Sequence, residues 1–199
     1  MTRPDYIAGY CPQERLEPVS TPKTPFVSPN LTNRTDLSAA MKGAVGVIAV
    51  GVPASYGRDY HLTVRKVCEK IAAKLSGSHR IMVDNSKLAE RYIAMRAGIG
   101  FPLKSGMLAC SEYGIYFNLG MIVVDTPPQY SPELYRDEPT GANLCEHCSL
   151  CADACPTGVL RGESDFYGCL SYIRQKEDGI AGSCDLCRSV CLYNTVNQL

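Results

Sequence analysis

Eight of the eleven cysteines in this 199-residue chain fall between Cys145 and Cys191, with spacing suited to holding metal. The first half reads Cys145-x2-Cys148-x2-Cys151-x3-Cys155-Pro156. In such a run three thiolates hold one [4Fe–4S] cluster and the fourth reaches across to a second cluster. Two-residue gaps wrap a tight loop around one cube, the three-residue gap turns the next sulfur away, and proline ends the loop. Cys169, Cys184, Cys187 and Cys191 supply the remaining thiolates. The crossed assignment puts Cys145, Cys148, Cys151 and Cys191 on one cluster, and Cys155, Cys169, Cys184 and Cys187 on the other. The chemistry expected of such a chain is electron transfer.

Two other uses of cysteine fit less well. A disulfide scaffold belongs to small secreted chains, whereas the start Met-Thr-Arg-Pro-Asp has no apolar leader and this length can build a core unaided. A zinc ribbon would use two Cys-x2-Cys pairs and leave Cys151, Cys155, Cys169 and Cys191 unexplained. Cys11, Cys68 and Cys110 are scattered, and Cys68 lies on the apolar side of an expected helix, as a buried small hydrophobe would.

The cysteine-rich end needs something to serve. A formal charge of zero, with seven acids against four bases after residue 140 and no basic run anywhere, gives no sign of a nucleic-acid partner. The longest apolar stretch, Gly43 to Ala54, is too short for a bilayer and is broken by glycines and a proline. A soluble, cytoplasmic protein is expected, with no membrane partner.

The elements that must position the chemistry are an α/β set. Residues 1–33 hold six of the thirteen prolines and read as an extended arm. Gly46 to Val52 has the continuous β-branched character of a strand buried on both faces. Val64, Val67, Cys68, Ile71, Ala72 and Leu75 then recur at helical spacing, with Gly77 as a stop. Ile81 to Val83 is a second strand, which predicts a right-handed parallel β–α–β unit with ligands at the carboxyl ends of its strands. A second helix is expected from about Lys87 to Arg96, stopped by Gly98. Gly106 to Cys110 and Tyr116 to Val124 read as two strands joined by the Glu112-Tyr113-Gly114 turn, an antiparallel extension. The organisation is an arm (1–33), an α/β core (34–126), a proline-rich linker (127–141) and a double-cluster ferredoxin-like module (142–199).

No phosphate-binding glycine pattern is present, since Gly98-Ile99-Gly100 follows a helix and lacks the later glycine. The densest polar group outside the cysteines is Tyr56-Gly57-Arg58-Asp59-Tyr60-His61, just after the first core strand. Asp84 ends the next strand at the same edge. A capped loop accounts for the hexapeptide as well as a ligand site does.

These residues resemble, in order, the cobalamin-binding core of epoxyqueuosine reductase. The likeness runs through Tyr56 to His61, Val83-Asp84, Ala94-Met95-Arg96-Ala97-Gly98-Ile99-Gly100, Glu112-Tyr113-Gly114 and Leu119-Gly120. It continues through Cys145 to Gly158, Cys169-Leu170-Ser171-Tyr172 and Cys184-Asp185-x-Cys187-x3-Cys191, and so covers roughly residues 34–194. The resemblance implies a nitroreductase-like α/β core with a mixed sheet, two [4Fe–4S] clusters, and cobalamin bound base-off. It implies Asp84 as the general acid, and Tyr56, Arg58, Asp59, Tyr60, His61, Arg96 and Lys104 as residues around the corrinoid. Asp59-x-His61-x-x-Val64 lacks the glycine of the corrinoid motif Asp-x-His-x-x-Gly, so His61 is not assigned as a cobalt ligand.

The chain also departs from the pattern. The Gly-Trp-x-Gly-Lys-Asn segment stands as Gly100-Phe101-Pro102-Leu103-Lys104-Ser105-Gly106, a Leu-Gly-Glu element stands as Leu119-Gly120-Met121, and the sequence ends eight residues after Cys191. A C-terminal tRNA-binding repeat is therefore not expected, and tRNA is a doubtful partner. Three functions remain open. One is a cobalamin-dependent reductase of a small molecule, with reductive dehalogenases as further relatives. Another is an electron carrier or corrinoid reductase serving a corrinoid protein, and the third is a shortened epoxyqueuosine reductase. Each needs a low-potential electron donor such as a ferredoxin or flavodoxin.

Overall fold

A computed structural model describes residues 4–17, 35–54, 60–84, 87–137, 145–162, 166–177 and 184–194. Its centre is a four-stranded sheet of β1 (Ile7–Pro12), β2 (Gly46–Pro53), β3 (His79–Val83) and β6 (Phe117–Val124), in the order β1-β2-β6-β3. A short hairpin of β4 (Phe101–Pro102) and β5 (Leu108–Ala109) stands apart from it.

The continuous apolar runs of β2 and β6 follow from their position, because both strands are covered on both faces. On one face Ile48, Val50, Ile122 and Val124 meet α1 (Tyr60–Ala72), which turns Val64, Cys68, Ile71 and Ala72 inward. On the other, Val47, Ala49, Met121 and Val123 meet Ile93, Ala94 and Ala97 at α2 (Glu90–Arg96). The result is an α/β/α sandwich. A Cβ on Gly120 would stand 2.6 Å from Val64 Cγ1 and 2.7 Å from Cys68 Sγ, so glycine is what lets α1 lie close on the sheet.

α2 closes as the sequence predicts, with Gly98 at φ 75°. Its N–H donates to the Met95 carbonyl and the N–H of Ile99 to that of Ala94, the pair of bonds that ends a helix on a left-handed glycine. The helix starts at Glu90, later than expected. Leu88, though outside it, is buried.

The sheet differs from the expectation in its neighbours. β2 and β3 run parallel, as a right-handed crossover requires, but β6 lies between them and pairs antiparallel with both. Every ladder in the sheet is therefore antiparallel. β6 is central and not an extension, and β5 pairs with β4, leaving only a bridge between Cys110 and Gly114 at the expected turn. Burial fits this place: Met121, Ile122, Val123 and Val124 are all fully buried, with α1 on one face of β6 and α2 on the other. Part of the expected arm is also sheet, as β1 pairs antiparallel with β2 from Ile7 to Pro12.

The linker is strapped to the core where it is described. Leu134 and Tyr135 pack against the α1 face, the Leu134 carbonyl accepts from the Tyr10 N–H, and Arg136 pairs with Glu112 at 2.7 Å. The cysteine module follows as short turns and helices: α3 (Leu150–Asp153), α4 (Phe166–Glu177) and α5 (Leu186–Ser189). It docks on the β4–β5 hairpin. Phe101 meets Tyr193 edge-on at 5.0 Å, the Ile115 N–H donates to the Tyr193 carbonyl, and Tyr116 Oη bonds Asp185 at 3.2 Å. No helix among the described residues is long and apolar enough to cross a membrane.

Candidate functional site

Two concavities lie where the module meets the core. The first, of about 340 Å³, is ringed by Cys145, Cys148, Cys151 and Cys191, with Leu103, Lys104, Ser105, Leu150, Leu192 and Tyr193 completing its wall. Three of the thiols come from one turn and the fourth from the end of another, because α3 and α5 lie side by side. The four thiols feel one another. Burial raises the Cys191 pKa, and the like charges of Cys145, Cys151 and Cys148 raise it further. Burial likewise raises Cys151, with Cys145 and Cys148 adding to it.

The other four cysteines form a second group. Burial, then the charges of Cys184 and Cys155, raise Cys169. Cys187 is pushed up to about 11, by burial first and then by Cys184, Asp185, Cys151 and Cys169. Cys155 goes the other way: burial raises it, but hydrogen bonds from the Thr157 hydroxyl and from the N–H groups of Leu160, Thr157 and Val159 outweigh that. Among the described residues no three His, Cys, Asp or Glu side chains meet closely enough for a single metal ion. The first four thiols surround a space instead of converging on a point, and a cluster needs that wider arrangement.

The second concavity is an open cleft of about 720 Å³ at the carboxyl ends of β2 and β3 and the start of β6. Met107, Leu108, Ile115, Phe117 and Leu119 give it an apolar floor, while Tyr60, Asp84, Glu90, Arg91, Asn118 and Arg188 stand around them. Asp84 sits at the end of β3 with φ 48°, the one non-glycine residue with positive φ among those described. Aspartate tolerates that left-handed backbone better than most residues. Tyr60, the first residue of α1, donates through Oη to Asp84 Oδ2 at 2.9 Å. Burial and that bond push the Tyr60 phenol up to about 12, so it stays a donor at any working pH. His61 stacks on Tyr60 with ring centroids 4.0 Å apart and holds Nε2 3.9 Å from Asp84 Oδ2.

Asp84 is not buried by the chain itself, its side chain being 64% exposed. Arg188, which also lines the cleft, lies over the Tyr116 ring at 5.3 Å and donates to the Ile115 and Phe117 carbonyls. Arg91 donates to the Gly106 carbonyl at 3.1 Å. Its side chain reaches solvent, yet the surrounding protein displaces enough water to lower its pKa, and the like charge of Arg188 lowers it further. A guanidinium remains charged all the same. Because Arg188 directly follows Cys187, the cleft abuts the second cysteine group.

The predicted residues divide accordingly. Tyr60, His61 and Asp84 come together at the cleft, while Tyr56, Arg58 and Asp59 lie outside the described residues. Arg96 does not line the cleft, for its Nε bonds the Arg15 carbonyl and ties the end of α2 to the chain beyond β1. Lys104 lines the first concavity instead. Its Nζ donates to the Glu146 and Cys148 carbonyls because the β4–β5 turn folds onto the cysteine loop. Arg91, Arg188 and Ser105 escaped the sequence reading. Arg91 sits in an ordinary amphipathic helix and Arg188 inside a motif read only for its cysteines.

The fold and the cysteine spacing define the class as an α/β core joined to an iron–sulfur module. Comparisons agree, since residues 141–161 match the 4Fe-4S binding domain family. The particular likeness is to epoxyqueuosine reductase. The enzyme of Bacillus subtilis (strain 168) is 31% identical over 159 residues, which are 71% of this chain and 39% of that protein. The chain thus spans well under half of that relative's length. Among solved structures, an epoxyqueuosine reductase bound to an epoxyqueuosine-modified tRNA-Tyr stem loop superposes with a TM-score of 0.66. It covers 94% of this chain and 61% of the other at 23% identity. The Bacillus subtilis enzyme with its aspartate catalytic loop swung out of the active site gives 0.64, covering 96% and 62% at 23% identity. The chain is an epoxyqueuosine reductase-like protein that carries a 4Fe–4S module.

Proposed function

We propose that this chain is an iron–sulfur oxidoreductase in which two [4Fe–4S] clusters pass electrons toward a base-off corrinoid in the cleft, where a substrate is reduced. The observation that carries the reading is the cleft itself. Its lining includes a carboxylate bonded by a phenol and, from the cysteine module, the residue that follows Cys187. A proton source and an electron source therefore face one apolar-floored space.

The residues suit both groups. Cys145, Cys148, Cys151 and Cys191 would hold one cluster, and Cys155, Cys169, Cys184 and Cys187 the other. Burial and mutual repulsion raise the pKa of several of these thiols, so cluster assembly has to displace protons. For a corrinoid, the floor of Met107, Leu108, Ile115, Phe117 and Leu119 offers an apolar bed, with Tyr60, Asp84, Arg91 and Arg188 at its rim. When bound, low-valent cobalt supplies the strong nucleophile and reductant, and the protein supplies position and protons.

Asp84 is the residue placed to give that proton. Tyr60 donates to Oδ2 and so fixes the carboxyl at the rim of the cleft. His61 holds Nε2 3.9 Å from the same oxygen. A low-potential ferredoxin or flavodoxin would deliver electrons at the module, where Leu150, Leu186 and Leu192 are exposed beside Cys151, Cys187 and Cys191. The candidate substrates are a small molecule, the corrinoid of a partner protein and epoxyqueuosine in tRNA, the last being the first to assay because a solved relative holds an epoxyqueuosine-modified stem loop.

Asp84→Asn tests the proposal. It should leave iron content and corrinoid spectra unchanged and lower turnover by about 100-fold or more, the usual worth of a placed general acid. Unchanged turnover would reduce Asp84 to a strand-end turn residue.

A further inference from the structure

We infer that Ser105 donates a hydrogen bond from its hydroxyl to a sulfur of the cluster held by Cys145, Cys148, Cys151 and Cys191, and so raises that cluster's reduction potential. Ser105 lies in the turn between β4 and β5, which the Gly106 N–H closes onto the Leu103 carbonyl at 2.9 Å. Its neighbour Lys104 fastens the turn to the cysteine loop through the Glu146 and Cys148 carbonyls, at 2.8 and 3.3 Å. The turn is therefore held over the first concavity, and Ser105 lines it together with all four thiols.

Ser105 is 2% exposed, and its Oγ is fully enclosed with no hydrogen-bond partner among the described residues. A hydroxyl removed from water with nothing to bond costs on the order of a full hydrogen bond, so such atoms are rare in a folded protein. The side chains of Leu103, Leu150 and Leu192 share the concavity and offer no acceptor. Cluster sulfur supplies one. Reduction adds one electron to a group that already carries net negative charge through its thiolates, and a donor at sulfur stabilises the more negative form. The potential rises with the donor present and falls without it.

The inference rests on the cluster half of the proposed function and is independent of the corrinoid. Wild type and Ser105→Ala, reconstituted anaerobically with iron and sulfide, are compared by iron analysis and by EPR-monitored redox titration. Iron should be equal, and one of the two cluster waves should move to lower potential while the other stays. The expected size is roughly a tenfold fall in the reduced-to-oxidised ratio at fixed potential, or about 59 mV for one electron. In the wild type, deuterium exchange should reveal an exchangeable proton coupled to the reduced cluster, absent from Ser105→Ala. Full iron with both waves unmoved and the coupling retained would overturn the inference. No cluster in either protein would instead overturn the cluster reading itself. Should Ser105→Ala alone lose iron, Ser105→Thr decides, since it keeps the hydroxyl: a wild-type potential supports the bond and a lowered one opposes it.

Discussion

At the cysteines, chain order and spatial grouping cross. Cys191 stands beside Cys145, Cys148 and Cys151, whereas Cys155 belongs with Cys169, Cys184 and Cys187. Removing one thiol should then empty one site and spare the other. Cys191→Ser is expected to lower iron from about eight to about four per chain, with sulfide falling in step, measured after anaerobic reconstitution. Retention of about eight irons would contradict the crossed assignment. The assignment was drawn from the sequence because ligand spacing is a local property of a loop wrapped on a cube, and the structure brings Cys191 to the wall that Cys145, Cys148 and Cys151 also line. Cys68 was legible too, fully buried against the sheet with its pKa pushed up to about 12 by burial. The roles of Arg96 and Lys104 were not. Both carry the right charge for a corrinoid rim, but where a long side chain ends depends on packing between distant segments. Here those segments are Arg15 for one and the cysteine loop for the other.

Among the elements, those with a local signature were found and those defined by distant partners were misplaced. The periodicity of α1 and the Gly98 stop of α2 are written in a few consecutive residues. The central place of β6 is a long-range choice among apolar strands, and no short window reveals it. β1 was hidden among the prolines of the arm, although Pro12 fits the end of an edge strand, where a missing N–H does no harm. Its Gly9 faces the end of α2, and a Cβ there would run into the Ala97 carbonyl. Gly9→Ala should therefore destabilise the core by about 1–3 kcal/mol. For a chain of this size that is a fall in Tm of several degrees, read by thermal denaturation of the cluster-free protein. A change within about 1 °C would mean that α2 does not rest on β1 in this way.

For the whole molecule, the cleft is where the parts meet. β2, β3 and β6 bring Asp84 and the apolar floor, α1 brings Tyr60 and His61, and the cysteine module brings Arg188. The sequence pointed to the sheet edge, because Asp84 ends a strand, but not to the module as a wall of the same space. That wall arises only when the hairpin, Tyr116 and Tyr193 dock the module. The central claim is that a corrinoid binds in this cleft within reach of the clusters. Anaerobic titration of the reconstituted protein with cob(II)alamin, followed by EPR, tests it most directly. A shift of the cobalt signal to the base-off form, saturating near one equivalent per chain, is the expected result. A signal that stays that of free cob(II)alamin at every ratio would contradict it, leaving an iron–sulfur electron carrier.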